Sequence, residues 1–332
     1  MIGARTLLIA LAAQIALAAP AVAQVEAPDA HTATPATAQE PRGITEDAPL
    51  VGGGAVDIIT PHITDSHAID LPCWNHATLV CEYELPRWKP IVIGGVAIDM
   101  SPTKHVVMLV VAAFLCCLVL ITAARAHVRH THAIGRPKGF AAGIEAMVLY
   151  IRQEVAIPNL GHHGEKYAPF ILALFFFIMF ANLLGLIPYG STATGNISVT
   201  ATLAIITFIV VEIAGMRALG RGYFSTIFYW NKDLPLYMRV PLFIIMTPIE
   251  IIGKFTKPFA LTIRLFANMT AGHIVVLALI GLIFVFHNPV SIAPGIMAVL
   301  IMILELFVAL LQAFIFSLLA AVFIGQIREA AH

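Results

Sequence analysis

The chain has 332 residues, of which 59% are hydrophobic and only 11% charged, and its mean hydropathy is +0.90. Soluble domains carry roughly 25% charged residues, so the composition excludes a pair of soluble domains and describes a polytopic membrane protein with a polar leader. The 19 basic residues balance the 19 acidic ones. Nothing in that balance points to nucleic acid, and the few charges inform by position rather than by sum.

Residues 1–23 read as a secretory signal peptide. Arg5 supplies the positive start, Thr6–Ala19 the apolar stretch and Ala21-Val22-Ala23 the small-residue cleavage site. An uncleaved anchor is the alternative, but the run is short for a span. Residues 24–100 are rich in Pro, Ala, Thr and Gly and have little to bury, so a loosely ordered, exported extension is expected. Cys73 and Cys81 within it either pair as a disulfide in an oxidising compartment or stay as two thiols. Cys116 and Cys117 fall in an apolar run, where cysteine acts as a small apolar residue. His31, His62, His67 and His76 have no ligand-like spacing.

Residues 101–332 form the membrane domain, with apolar segments at about 106–126, 167–187, 197–218, 240–286 and 292–326. The spacing predicts an all-α polytopic membrane protein with five membrane-embedded helices. The fourth segment would be about 70 Å long as one helix, far more than a bilayer core needs, with Pro248 and Pro258 as candidate bend points. A short link around His287-Asn288-Pro289 brings the fifth, also overlong, back beside it. The two are expected to form a steeply tilted antiparallel hairpin.

Between the first two spans, residues 140–158 place Phe140, Ile144, Met147, Val148, Ile151 and Val155 every three or four positions, with Glu145, Arg152, Gln153 and Glu154 between them. That is an amphipathic helix suited to the membrane surface; packing on a partner is the rival reading. His162-His163, just before the second span, is a weak metal signal with an interfacial alternative.

Lys and Arg in short loops orient the chain. Arg125, Arg129, Arg136 and Lys138 follow the first span; Arg217, Arg221, Lys232 and Arg239 follow the third; Arg328 follows the last. The opposite links, Pro188–Asn196 and His287–Ser291, contain no Lys or Arg. The extension is therefore expected outside and the C-terminus inside, as the signal peptide independently requires.

Arg264 lies deep inside the fourth segment. An intramembrane guanidinium costs at least ~2.5–3.5 kcal/mol and usually faces a partner, a cavity or an ion path. Arginine does not release its proton, so it holds or bars a proton rather than relaying one; snorkelling to the interface is the alternative. At 100° per residue, Glu250, Lys257 and Arg264 fall within about 40° of one line, and Asn268 lies one turn further on the same side. His273 lies roughly 13 Å beyond Arg264 along the axis and points about 180° away. On the returning segment, Glu305 and Gln312 are seven residues apart and share a face. If Gln312 stands level with Arg264 as its polar match, Glu305 comes near the level of His273. A His beside a carboxylate outward of the arginine suits a path by which protons arrive; a buried pair that only locks two helices is the alternative. Inward of the arginine, Glu250 and Glu212 are candidates for a separate aqueous exit, although Glu212 also fits the interface, and Lys254 and Lys257 are read as headgroup anchors.

Protons would reach the arginine level from outside by one path and leave inward by another, with the fixed cation blocking a direct leak. The chain holds no mobile carrier, so a partner bearing a membrane carboxylate is required. Moving one charge through 100 mV supplies ~2.3 kcal/mol, so several steps would be needed for a demanding reaction.

The run Pro248-Ile-Glu-Ile-Ile-Gly-Lys-Phe-Thr-Lys-Pro-Phe-Ala-Leu-Thr-Ile-Arg264-Leu-Phe-Ala-Asn268-Met-Thr-Ala-Gly-His273 resembles subunit a of the F-type ATP synthase. So do Asn182-Leu-Leu-Gly-Leu-Ile-Pro188 and Leu311-Gln312-Ala-Phe-Ile-Phe316. The resemblance covers roughly residues 80–332. It implies that Arg264 faces the carboxylates of a rotating c-ring, with Asn268 and Gln312 as neighbouring polar positions. It also implies that His273 and Glu305 are the paired periplasmic-side positions and that Glu250 lines the cytoplasmic half-channel. Many bacterial members carry the pair in the opposite order, carboxylate first, and some have an acidic residue where Gly185 stands here. By the same resemblance the subunit is non-catalytic on its own and carries no cofactor. It would partner the c-ring and the peripheral-stalk b subunits in a bacterial inner membrane, and the choice between proton and sodium rests mainly on the ring.

Two other classes make different demands. A proton-coupled secondary transporter predicts internal repeats and a substrate site at broken helices, and the chain shows no convincing repeat. An intramembrane hydrolase needs a nucleophile–base pair or a metal motif such as H-E-x-x-H, and the sequence contains none.

Overall fold

A computed structural model describes residues 65–75, 78–88, 91–93, 96–98, 101–134, 139–161, 164–187, 192–228, 235–285 and 289–329. The signal-peptide reading (residues 1–23), residues 24–64 of the extension, and His162-His163 lie outside the described residues.

Part of the extension is more regular than its composition suggests. Strand β1 (Ala68–Asn75) pairs antiparallel with β2 (Thr78–Glu84), and β3 (Ile91–Ile93) pairs with β4 (Val96–Ile98). The register of the first ribbon shifts between Pro72 and Asn75, where proline has no N–H to give the ladder. Cys73 lies on β1, while Cys81 on β2 stands opposite Leu71. Residues 68–75, 78–84, 91–93 and 96–98 are thus paired strands. Pairing between neighbouring strands supplies regularity that residue content does not display.

The membrane domain is all-α, and five of its helices are long and apolar enough to cross a membrane. These are α1 (Lys104–Ile134), α4 (Ala168–Gly185), α5 (Ile197–Leu219), α7 (Leu236–Val285) and α8 (Ile292–Glu329). Shorter helices are α2 (Phe140–Tyr150), α3 (Ile157–Leu160) and α6 (Tyr223–Ile227). The predicted boundaries hold to within a few residues except at the ends of α1 and α7, which run on further.

Helix α4 is apolar on every side, and its sequence Phe175-Phe176-Phe177-Ile178 is buried throughout. It is the centre of the bundle, with α1 packed on one side and α8 on the other. Asn182 on α4 is fully buried. Its Nδ2 donates to the Ala309 carbonyl at 3.1 Å, and its Oδ1 accepts from Thr194 Oγ1 at 2.7 Å. Three chain segments are thus joined where an unpaired amide would cost about 1–3 kcal/mol.

Helix α5 starts at Asn196, whose Oδ1 accepts from the Ser198 N–H at 2.9 Å, satisfying one of the free donors of the first turn. It ends at Gly220, where φ is +55°. Within it, Thr202 and Thr207 return their hydroxyls to the carbonyls four residues back, so they are buried without loss.

The stretch is helical, and most of its apolar stripe packs on this same chain, with Phe140 left exposed. Ile144, Ile151 and Val155 are buried; α2 packs on α1, and α3 packs on α8. A wider helical turn, Ile151–Ala156, joins α2 to α3. It lies just before Pro158, whose ring conflicts with a regular turn behind it. Gly325 lets α3 approach closely, since a Cβ there would stand 2.0 Å from the Asn159 carbonyl oxygen.

Helix α7 passes through Pro241, Pro248 and Pro258 without interruption and packs on α5 and α8. It lies at the margin of the bundle. In its most apolar window only 17% of residues are buried, against 72% for α4, so this margin is a surface built to be covered by something else.

Candidate functional site

Helix α7 buries Leu261, Leu265 and Met269 against the bundle. The 3.6-residue period then carries Glu250, Lys257, Arg264 and Asn268 onto one adjoining, exposed face, roughly 60–100° round the helix from Leu265. The exposed surface of these two helices is otherwise largely apolar: Phe255, Phe259 and Ile263 on α7 and Ile303, Phe307 and Leu310 on α8 are exposed. Arg264 makes no hydrogen bond or ion pair among the described residues. It is a cation presented outward from an apolar wall.

Gln312 is 3% exposed, on the inward face of α8 with Ala309, Ala313 and Phe316. No hydrogen bond joins it to Arg264 among the described residues. The two side chains point to different faces because the apolar side of each helix turns to the bundle by its own phase.

Glu305 shares that inward face with Gln312, as their spacing requires, and is 4% exposed. His273 stands against it, with Nδ1 at 3.8 Å from Glu305 Oε1. Gly272 makes room for the carboxylate: a Cβ there would lie 3.0 Å from Oε1. No protein group donates to Oε1. This end of α7 is also tied to the start of α5, Thr270 Oγ1 donating to the Gly195 carbonyl at 3.4 Å.

At the other end a cavity of about 160 Å³ is lined by Glu212, Thr226, Glu250, Lys254, Lys257 and Gln326. Lys254 is not a headgroup anchor. Its Nζ donates to Glu212 Oε2 at 3.2 Å and to the Tyr223 hydroxyl at 2.9 Å, and it lies 4.5 Å above the Tyr223 ring. Lys257 remains exposed, with Nζ 3.5 Å from Gln326 Oε1 and 5.0 Å above the Phe323 ring. The Lys254–Glu212 pair was missed from sequence, although both residues lie near the same end of antiparallel neighbours and depth counting could have matched them. Arg328 marks this end too, donating to the Leu160 carbonyl at 2.9 Å.

The extension attaches at the opposite end. Asp65 Oδ1 is 2.7 Å from His105 Nδ1 at the start of α1, and its Oδ2 accepts from Asn196 at 3.5 Å. Burial pushes the Asp65 carboxyl up, but His105, by its hydrogen bond and its charge, holds it below the ordinary 3.8.

The bundle and its exposed arginine define a polytopic helical membrane protein with a charged group on one of its spanning helices. Residues 105–325 match the family described as ATP synthase A chain. The chain is similar to ATP synthase subunit a 2 of Chlorobaculum tepidum, at 46% identity over 272 residues, covering 81% of this chain and 72% of that one. ATP synthase subunit a of Chloroherpeton thalassium is also 46% identical, over 80% of this chain and 74% of its own. ATP synthase subunit a of Anaeromyxobacter dehalogenans is 39% identical over 96% and 87%. The chain belongs to the ATP synthase A chain family.

Proposed function

We propose that this protein is the proton-translocating stator subunit of an ATP synthase Fo sector. It forms two offset half-channels against a c-ring and couples proton flow to ring rotation. It is non-catalytic by itself and sits in a bacterial inner membrane beside the peripheral-stalk b subunits, with its extension periplasmic and its C-terminus cytoplasmic. The observation that carries this reading is the unpartnered cation Arg264 on an uncovered apolar face, with polar groups on either side of it along α7.

An exposed guanidinium on a lipid-facing wall is unfavourable by several kcal/mol, whereas against a ring carboxylate it is a charge partner. A rotor carboxylate arriving at Arg264 is held ionised by the neighbouring cation. Its proton has by then gone inward, through the cavity containing Glu250. It takes up a new proton only after receiving one by way of His273 and Glu305. A carboxylate oxygen buried without a protein donor is stable once water or a proton reaches it, as a proton-carrying position requires. Arg264 bars the direct route because it keeps its own proton.

The test is Arg264→Ala in the assembled complex, followed by ATP-driven acidification of inverted membrane vesicles. Pumping is expected to vanish while the subunit still co-purifies with its ring. Pumping at the wild-type rate would overturn the proposal.

A further inference from the structure

The inward cavity contains two carboxylates, and the structure treats them differently. Glu212 on α5 is held by Lys254 from α7, and Lys254 is itself fixed by the hydroxyl and ring face of Tyr223 on α6. Both side chains are largely covered, at 13% and 16% exposure. Glu250 is exposed and has no hydrogen bond or ion pair among the described residues. Lys257, the remaining charged group lining the cavity among the described residues, reaches Gln326 of α8.

We infer that Lys254 is a positioning residue for proton release. By holding Glu212 in an ion pair, it leaves Glu250 as the unengaged carboxylate in this cavity, the one that exchanges protons with the path. The inference rests on the half-channel reading above. Its physical basis is geometric: the Glu212 carboxylate is engaged by an ammonium at 3.2 Å, whereas Glu250 lines the same cavity with no such partner among the described residues. Were Glu212 free, protons leaving the rotor would meet a second acceptor, off the line that Glu250, Lys257 and Arg264 form on α7. Tyr223 fixes the ammonium laterally, so thermal motion does not swing it toward Glu250, four residues earlier on the same helix.

ATP-driven pumping in inverted vesicles, measured across external pH from about 6 to 8.5, tests this, because that external face is the one the cavity opens to. Glu250→Gln is expected to slow pumping at least ~10-fold. Glu212→Gln is expected to slow pumping at least ~5-fold less than Glu250→Gln, since its carboxylate is already engaged by Lys254. Lys254→Met should slow pumping about 5-fold and move the pH profile, because the stranded Glu212 then binds protons beside the path. Lys254→Met with Glu212→Gln should return both rate and profile to near wild type.

Three results overturn the inference: Glu212→Gln as damaging as Glu250→Gln, a double variant no better than Lys254→Met, or a Lys254→Met variant with wild-type rate and profile. If Lys254→Met does not assemble, Glu212→Gln and the double variant still decide. Normal pumping by Arg264→Ala would instead remove the half-channel reading itself, whereas a dead Arg264→Ala with any of those three results removes only the role of Lys254.

Discussion

Exchanging His273 and Glu305 tests whether these two residues act as a pair. Their closest approach is 3.8 Å, across the α7–α8 interface, with Glu305 only 4% exposed. Whenever His273 carries a second proton beside an ionised Glu305, the two unit charges at that separation gain about 4 kcal/mol at an effective dielectric of about 20. Desolvating the carboxylate takes back part of this, leaving roughly 1.5–3 kcal/mol dependent on having both partners. Each ~1.4 kcal/mol is tenfold in rate, so His273→Ala and Glu305→Gln should each lower passive proton flux through stripped inverted vesicles by about 10–100-fold. The exchanged variant, His273→Glu with Glu305→His, restores a carboxylate beside an imidazole in a space of similar size. It should recover to within about 10-fold of wild type. The assay is fluorescence quenching by a pH-sensitive dye, normalised to the amount of assembled complex. An exchanged variant no faster than the worse single variant would refute the idea that the contact, rather than each side chain alone, carries the proton.

Further outcomes follow from the packing. Asn182→Ala removes hydrogen bonds to Ala309 and Thr194 from the bundle centre. It should cost about 2–3 kcal/mol, read as a lower midpoint of thermal unfolding in detergent. Gly325→Ala places a methyl 2.0 Å from the Asn159 carbonyl oxygen, forcing α3 off α8; a loss of about 1–3 kcal/mol should appear in the same melt. The folded Asp65 carboxyl is held below 3.8. The clasp between the extension and α1 is therefore complete above that value and is lost as pH falls through the lower one. Hydrogen exchange at residues 66–105 should rise in that acid window, and Asp65→Asn should raise it at neutral pH.

The course of the chain through the membrane was legible in the residues because it depends on local quantities. Apolar length against bilayer thickness marks the five spans, and they fall where expected. Helical periodicity alone puts Glu250, Lys257, Arg264 and Asn268 on one face and Glu305 with Gln312 on another. Seven-residue spacing and depth counting also brought His273 to the level of Glu305, where the two side chains meet.

Which face is covered, and by what, is set by neighbours distant in sequence, so it was decided only by the tertiary structure. Arg264 looks outward and Gln312 inward because α7 packs on α5 and α8 with its Leu261–Leu265–Met269 side, while α8 turns its Ala309–Ala313 side to α4. Lys254 reads as an anchor on its own helix and becomes an ion-pair partner once α5 and α6 bring Glu212 and Tyr223 to it. The ribbons of residues 68–98 escaped composition because a strand exists only through hydrogen bonds to its partner. Periodicity says which side chains travel together; only the packed bundle says what they meet.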